Sequence, residues 1–163
     1  MSTAARAPAI DADQLAAWRA FLRAHSTMLR RISRDLDEAG LPPLSWYDVL
    51  AALRDAPERT LRQVELAQRV LLSHSGLSRL LDRIESKGLV SRTSCPTDRR
   101  SFHIKLTDEG AQMLERMWPV YARGVGEDFL PALGDNPCEV RQMLETVGST
   151  CAVGREAEGR DSG

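Results

Sequence analysis

Ser73-His74-Ser75-Gly76-Leu77-Ser78-Arg79-Leu80-Leu81-Asp82-Arg83-Ile84-Glu85-Ser86-Lys87-Gly88-Leu89 is the stretch whose reading decides the fold. Leu77, Leu80, Leu81 and Ile84 stand at i, i+3, i+4 and i+7, the spacing of one buried stripe on a helix. At 100° per residue, Ser75, Arg79, Asp82 and Ser86 fall opposite that stripe, with Ser78 and Arg83 on its flanks and His74 at the open N-terminal edge. Ser73 can cap this helix, and Gly88 can take the left-handed stop with Leu89 folding back over Ile84.

Working outward, Thr60 with Gln63 reads as a capping box opening a shorter helix through Leu66, Ala67 and Val70, so only Leu71-Leu72 separates two helices. Before them, Ser45 is placed to cap a helix that carries Val49, Leu50 and Leu53 inward, with Pro57 after it. Earlier still, a long helix is expected over about Asp13–Ala39, with an Asp11/Gln14 capping box and Leu15, Leu22, Leu29 and Leu36 repeating every seven residues. Trp18, His25, Ile32 and Ala39 form a companion row, and Gly40-Leu41 with Pro42-Pro43 stops it. On the other side, Leu89–Ser94 and Ser101–Leu106 read as strands joined by a turn through Cys95–Arg100. Phe102, Ile104 and Leu106 there alternate with His103 and Lys105. Thr107 caps a fifth helix to about Phe129, with a bend expected near Pro119, and Asn136-Pro137 opens a sixth. The expectation is a mainly α chain with a small β-hairpin wing: a winged helix-turn-helix of six helices. Residues 1–10 read as a disordered leader, 11–40 as a first dimerisation helix and 41–107 as the winged lobe. Residues 108–152 read as C-terminal dimerisation helices and 153–163 as a disordered tail.

The chain has 163 residues, 42% hydrophobic and 28% charged, enough for one compact core. Net charge is −1, but between Arg59 and Lys105 stand ten Lys/Arg against four Asp/Glu. A positive block between acidic arms suits a protein that meets phosphate with one part only. The exposed helix end is small, polar and cationic, so it can approach the floor of a major groove, where Arg donates twice to guanine and Ser bonds either base type. Arg99 and Arg100 on a proline-stiffened turn can reach a narrow minor groove, with Asp98 as a charge-assisted buttress for one of them.

Several classes are disfavoured. No apolar run approaches a membrane span and no signal-peptide pattern opens the chain, so a cytoplasmic location is expected. Cys95, Cys138 and Cys151 make neither a disulfide framework nor a zinc site, and His25, His74 and His103 have no metal spacing. There is no nucleophile elbow, glycine-rich phosphate loop or paired carboxylate pattern, and hence no catalytic site. A protein-binding use of the winged fold is the second class, which the positive block and the serine-rich helix end disfavour.

The order Leu66-Ala67, Ser75 to Ile84, Lys87-Gly88-Leu89-Val90, Asp98-Arg99-Arg100 and Leu106-Thr107-Asp108-Glu109-Gly110 closely resembles the MarR family of bacterial regulators, over roughly Leu15 to Val147. The resemblance implies a homodimer whose first, fifth and sixth helices interlock and whose two winged lobes grip a pseudo-palindromic stretch of double-stranded DNA. It implies that Ser73, His74, Ser75, Ser78 and Arg79 read bases or nearby phosphates, that Arg62 and Arg83 hold the backbone, and that Arg100 matches the family's wing arginine. It also implies control by a small aromatic or acidic effector bound where the dimer helices meet the lobe, and no other cofactor. Independently of the family, the two apolar rows of the first helix and the stripe Val140, Met143, Leu144 and Val147 exceed what one lobe can cover, and a second copy would cover both.

For the effector, Trp18, His25, Met28, Trp46, Tyr47 and Trp118 are the candidate pocket residues. The alternatives are a buried, carbonyl-bonded His25 and aromatics that are plain core. Cys95 at the wing base is a candidate oxidation switch, with Arg92 and Arg99 near enough in sequence to lower its pKa. Against this, the family's hydroperoxide sensors keep their cysteine near the start of the first helix, where this chain has none.

Overall fold

The computed structural model describes residues 9–70, 74–95 and 98–158, with side chains described at all of these except 74–75, 95, 98–101 and 148–158. Helix α1 runs from Ala12 to Glu38. Its start is the capping box expected from the sequence: Gln14 N–H donates to Asp11 Oδ1 at 2.8 Å, and Asp11 N–H to Gln14 Oε1 at 3.1 Å. Helices α2 (Leu44–Arg54), α3 (Gln63–Arg69) and α4 (His74–Ser86) follow, then strands β2 (Val90–Cys95) and β3 (Asp98–Leu106), and helices α5 (Asp108–Asp128), α6 (Leu130–Leu133) and α7 (Pro137–Glu158).

One motif stops both α1 and α4. Gly40 and Gly88 adopt φ of 65° and 71°, a region that L side chains avoid. Leu41 N–H then donates to Leu36 C=O at 2.9 Å and Leu89 N–H to Ile84 C=O at 3.2 Å, closing the last turns. Thr107 joins the second of these stops to the next helix. Its hydroxyl donates to Gly88 C=O at 2.7 Å and accepts from Gly110 N–H at 3.0 Å, so the cap of α5 is tied to the end of α4.

Four local expectations are corrected. Thr60 does not cap α3: Thr60–Arg62 is a short strand, β1, on the far side of β3, in a sheet ordered β1-β3-β2. Glu58 and Arg59 take left-handed φ of 51° and 53°, turning the chain so that Thr60, Leu61 and Arg62 pair antiparallel with Lys105, Ile104 and His103. The cap of α3 passes to Glu65, whose carboxylate accepts from Arg62 N–H at 2.9 Å. Ser45 does not cap α2 either, because that helix starts one residue earlier after Pro43 with no side-chain cap. The wing strand β3 begins at Asp98, not Ser101: Cys95 pairs with Asp98 across a register shift, so Asp98, Arg99 and Arg100 belong to the strand rather than the turn. Finally, the described residues hold seven α-helices rather than six, the extra one being the single turn α6, and α7 continues to Glu158, past the expected start of the tail at 153. Helix α5 is continuous through Pro119.

The chain divides into two units, residues 1–124 and 125–163. The core of the first lies among α2, α3, α4, the sheet, the end of α1 and the start of α5. Leu50, Leu53, Leu66, Leu77, Leu81, Ile84, Ile104, Leu114 and Met117 are fully or almost fully buried in it. Apart from Leu114 and Met117 of α5, these are apolar positions that the helical and alternating periods predict, and their closure holds α4 with its opposite face outward. In the second unit, Phe129, Leu133, Pro137, Val140 and Leu144 line an open apolar groove.

Candidate nucleic-acid interface

The buried stripe of α4 is Leu77, Leu80, Leu81 and Ile84, as its spacing requires. Arg79, Asp82, Arg83 and Ser86 are exposed on the remaining faces and Ser78 is half-buried. Among the described residues neither Arg79 nor Arg83 forms an ion pair, and with Ser45, Gly76 and Leu80 they flank a shallow cleft of about 210 Å³. Two unpaired guanidinium groups one turn apart are free to meet anionic oxygens or base edges. Arg62, also exposed, stands at the start of α3.

Ser73 lies outside the described residues. His74 and Ser75 occupy the first turn of α4, and Asp98, Arg99 and Arg100 the first residues of β3; their side chains lie outside the described set. The side chain of Cys95 does as well.

Arg92 is the residue whose place the sequence reading missed. Its position in the sequence points to the Cys95 thiol, but its guanidinium turns onto α4. Nη2 lies 2.7 Å from Asp82 Oδ1 and donates to Ser78 C=O at 3.3 Å, while Nε lies 3.4 Å from Glu85 Oε2. Its backbone N–H donates to Glu85 Oε1 at 3.1 Å. The signal was available as Asp82 and Glu85 one turn apart on a cationic helix, but only the sheet packed beside α4 shows which cation answers them.

None of the clefts described in the single chain is lined by all six candidate effector residues. Trp18 and His25 lie on exposed α1, each stacked on Phe21 with ring centroids 5.9 and 6.2 Å apart. His25 is therefore not the buried, carbonyl-bonded histidine that its apolar row allowed. Trp46 and Tyr47 are buried on α2. Tyr47 stacks on Tyr121 of α5 at 4.0 Å, and Tyr121 stacks in turn on Trp118 at 6.1 Å. Burial, and then the neighbouring Tyr121, push the Tyr47 phenol up to about 12, so it is a neutral hydroxyl near pH 7. Met28 is half-buried on α1. Trp46 lines a separate cleft of about 420 Å³ with Leu41, Pro42, Lys87, Met113 and Arg116, and none of the other five lines it. Among the described residues no cluster of three metal-ligating side chains occurs, and no helix is long and apolar enough to cross a membrane.

Known proteins carry the same arrangement. A sequence profile of the MarR family matches residues 39–101, from the end of α1 to the wing. The HTH-type transcriptional regulator YkoM of Bacillus subtilis is 28% identical over 131 residues, which are 80% of this chain and 83% of that protein. Sco3205 of Streptomyces coelicolor, a MarR family transcriptional regulator solved in complex with DNA, superposes with a TM-score of 0.75 at 29% identity, over 90% of this chain and 91% of that one. BpsR of Bordetella bronchiseptica, whose DNA binding is regulated by 6-hydroxynicotinic acid, shares the fold with a TM-score of 0.66 at 20% identity, over 88% and 97% of the two chains. The shared fold and a sequence match centred on the helix-turn-helix lead to one likeness: this chain is similar to the MarR family of winged helix-turn-helix transcriptional regulators.

Proposed function

We propose that this regulator is a ligand-responsive repressor that binds a pseudo-palindromic operator as a homodimer. The observation that carries the reading is the pair Arg79 and Arg83, exposed and without ion pairs among the described residues, on a helix whose other face is locked into the core. Arg79, with Ser73, His74, Ser75 and Ser78, enters the major groove, while Arg62 and Arg83 hold phosphates. Arg99 and Arg100, with Asp98 beside them, reach the adjoining minor groove from the wing. Two copies are needed because Trp18, Phe21, Leu22 and Leu29 of α1 leave an apolar row open to solvent. A two-fold axis through that row would set two recognition helices about one DNA turn apart.

The effector is an aromatic or acidic small molecule, the class to which the acid that acts on BpsR belongs. The stacked rings of Tyr47, Tyr121 and Trp118 offer it a flat apolar surface. Trp18 and His25 stand on the open row of α1, so they join such a site only across the dimer interface. Selection of bound fragments from genomic DNA with the purified protein, followed by mobility-shift titration of the recovered duplex, tests the reading. The Arg79→Ala/Arg100→Ala double variant should lose at least about tenfold in affinity. Unchanged affinity would show that another surface reads the DNA.

A further inference from the structure

Asp82 and Glu85 are an anomaly on a helix that must lie against phosphates. An anion facing the duplex repels it, and Asp82 stands three residues after Arg79, where it could capture that guanidinium in an i,i+3 pair. Instead both carboxylates are held by Arg92 from the adjacent strand β2. Arg92 is only 18% exposed, against 61% for Asp82 and 39% for Glu85, so the cation is fixed beneath two carboxylates that remain within reach of solvent. Four contacts hold it there: Asp82 Oδ1, Glu85 Oε2, the Ser78 carbonyl and, through its own N–H, Glu85 Oε1. The shortest, at 2.7 Å, is to the carboxylate nearest the reading face.

We infer that Arg92 is a positioning residue for DNA binding: it draws Asp82 and Glu85 away from the reading face and so keeps Arg79 and Arg83 unpaired for the duplex. The inference rests on the reading of α4 as the DNA-contacting helix. It gives Arg92 a role that is neither base contact nor phosphate contact. The same bonds join strand β2, at the base of the wing, to α4. Removing the Arg92 charge leaves two carboxylates unanswered within one turn of helix. Asp82 then competes with DNA for Arg79, and the field over the helix end becomes less positive.

The test is a charge cycle on the full chain, read by titration of the selected duplex at several salt concentrations, with circular dichroism melts alongside. Arg92→Met should weaken binding roughly tenfold or more. Asp82→Asn/Glu85→Gln should bind as tightly as the parent or more tightly. Arg92→Met placed on that neutral background should cost less than about threefold, because the groups it answers are gone. This last comparison keeps its force even if Arg92→Met alone melts too low to assay. A full tenfold loss on the neutral background would overturn the inference and make Arg92 a direct phosphate ligand or a simple wing staple. A phosphate ligand would also lower the salt slope by about one unit in that comparison. The underlying reading fails separately: if Arg79→Ala/Arg83→Ala binds the duplex like the parent, α4 is not the contacting helix, whatever the cycle shows.

Discussion

The two halves of α1 share one seven-residue repeat and have opposite fates. Leu36 and Ile32, near its C-terminus, are 0% and 2% exposed, while Trp18 and Phe21, nearer its start, are 52% and 45% exposed. The apolar character is alike along the helix, but cover differs. The last turns pack on α2 and on α5, where Arg123 also reaches toward Asp35 at 4.0 Å. Along the first turns Trp18, Phe21, Leu22 and Leu29 stay exposed among the described residues. An apolar row therefore states only that something must cover it; whether the chain covers itself is settled by how far the lobe extends along the helix.

The contrast can be broken by mutation. Leu81→Ala removes a fully buried side chain from the lobe core and should cost about 2–5 kcal/mol, read as a lower urea midpoint at unchanged slope. Phe21→Ser on the open half should change the stability of a dilute chain by no more than about 0.5 kcal/mol. Its effect should appear instead as a weaker self-association in sedimentation equilibrium. Loss of folding stability comparable to that of Leu81→Ala would mean that the open row is covered within one chain. The smallest effect concerns Tyr47, buried at the junction of α2 and α5. Its phenol ionises near pH 10 when unfolded and at about 12 when folded, so the folded state holds its proton longer. Stability from this group is intact below pH 10 and falls as pH rises toward 12. In Tyr47→Phe that part of the alkaline decline should disappear from thermal melts between pH 9 and 12; an unchanged profile would show that other groups carry it.

Much of the fold could be read directly. The capping box of α1, the two glycine stops and the stripe of α4 are local devices, written within four or five consecutive residues, and the structure contains each of them. Strand β1 could not be read that way, because three residues are too few for a period of two to stand out and their pairing partner lies more than forty positions away. How the six candidate effector residues group in space was not legible for a related reason: helical spacing gathers side chains on one element but says nothing about which elements meet. Arg92 shows the same limit at the proposed DNA surface. Its neighbours in sequence pointed to Cys95, while its neighbours in space are Ser78, Asp82 and Glu85.

The amino-acid order alone determined where helices begin and stop, which face of α4 is apolar, and the family motif, since each depends on hydrogen bonds or periodicities spanning a single turn. Tertiary structure decided which half of α1 is covered, which aromatic rings meet, and which cation answers the carboxylates of α4. Those depend on contacts between residues far apart in the chain, where packing geometry, not local propensity, chooses the partner.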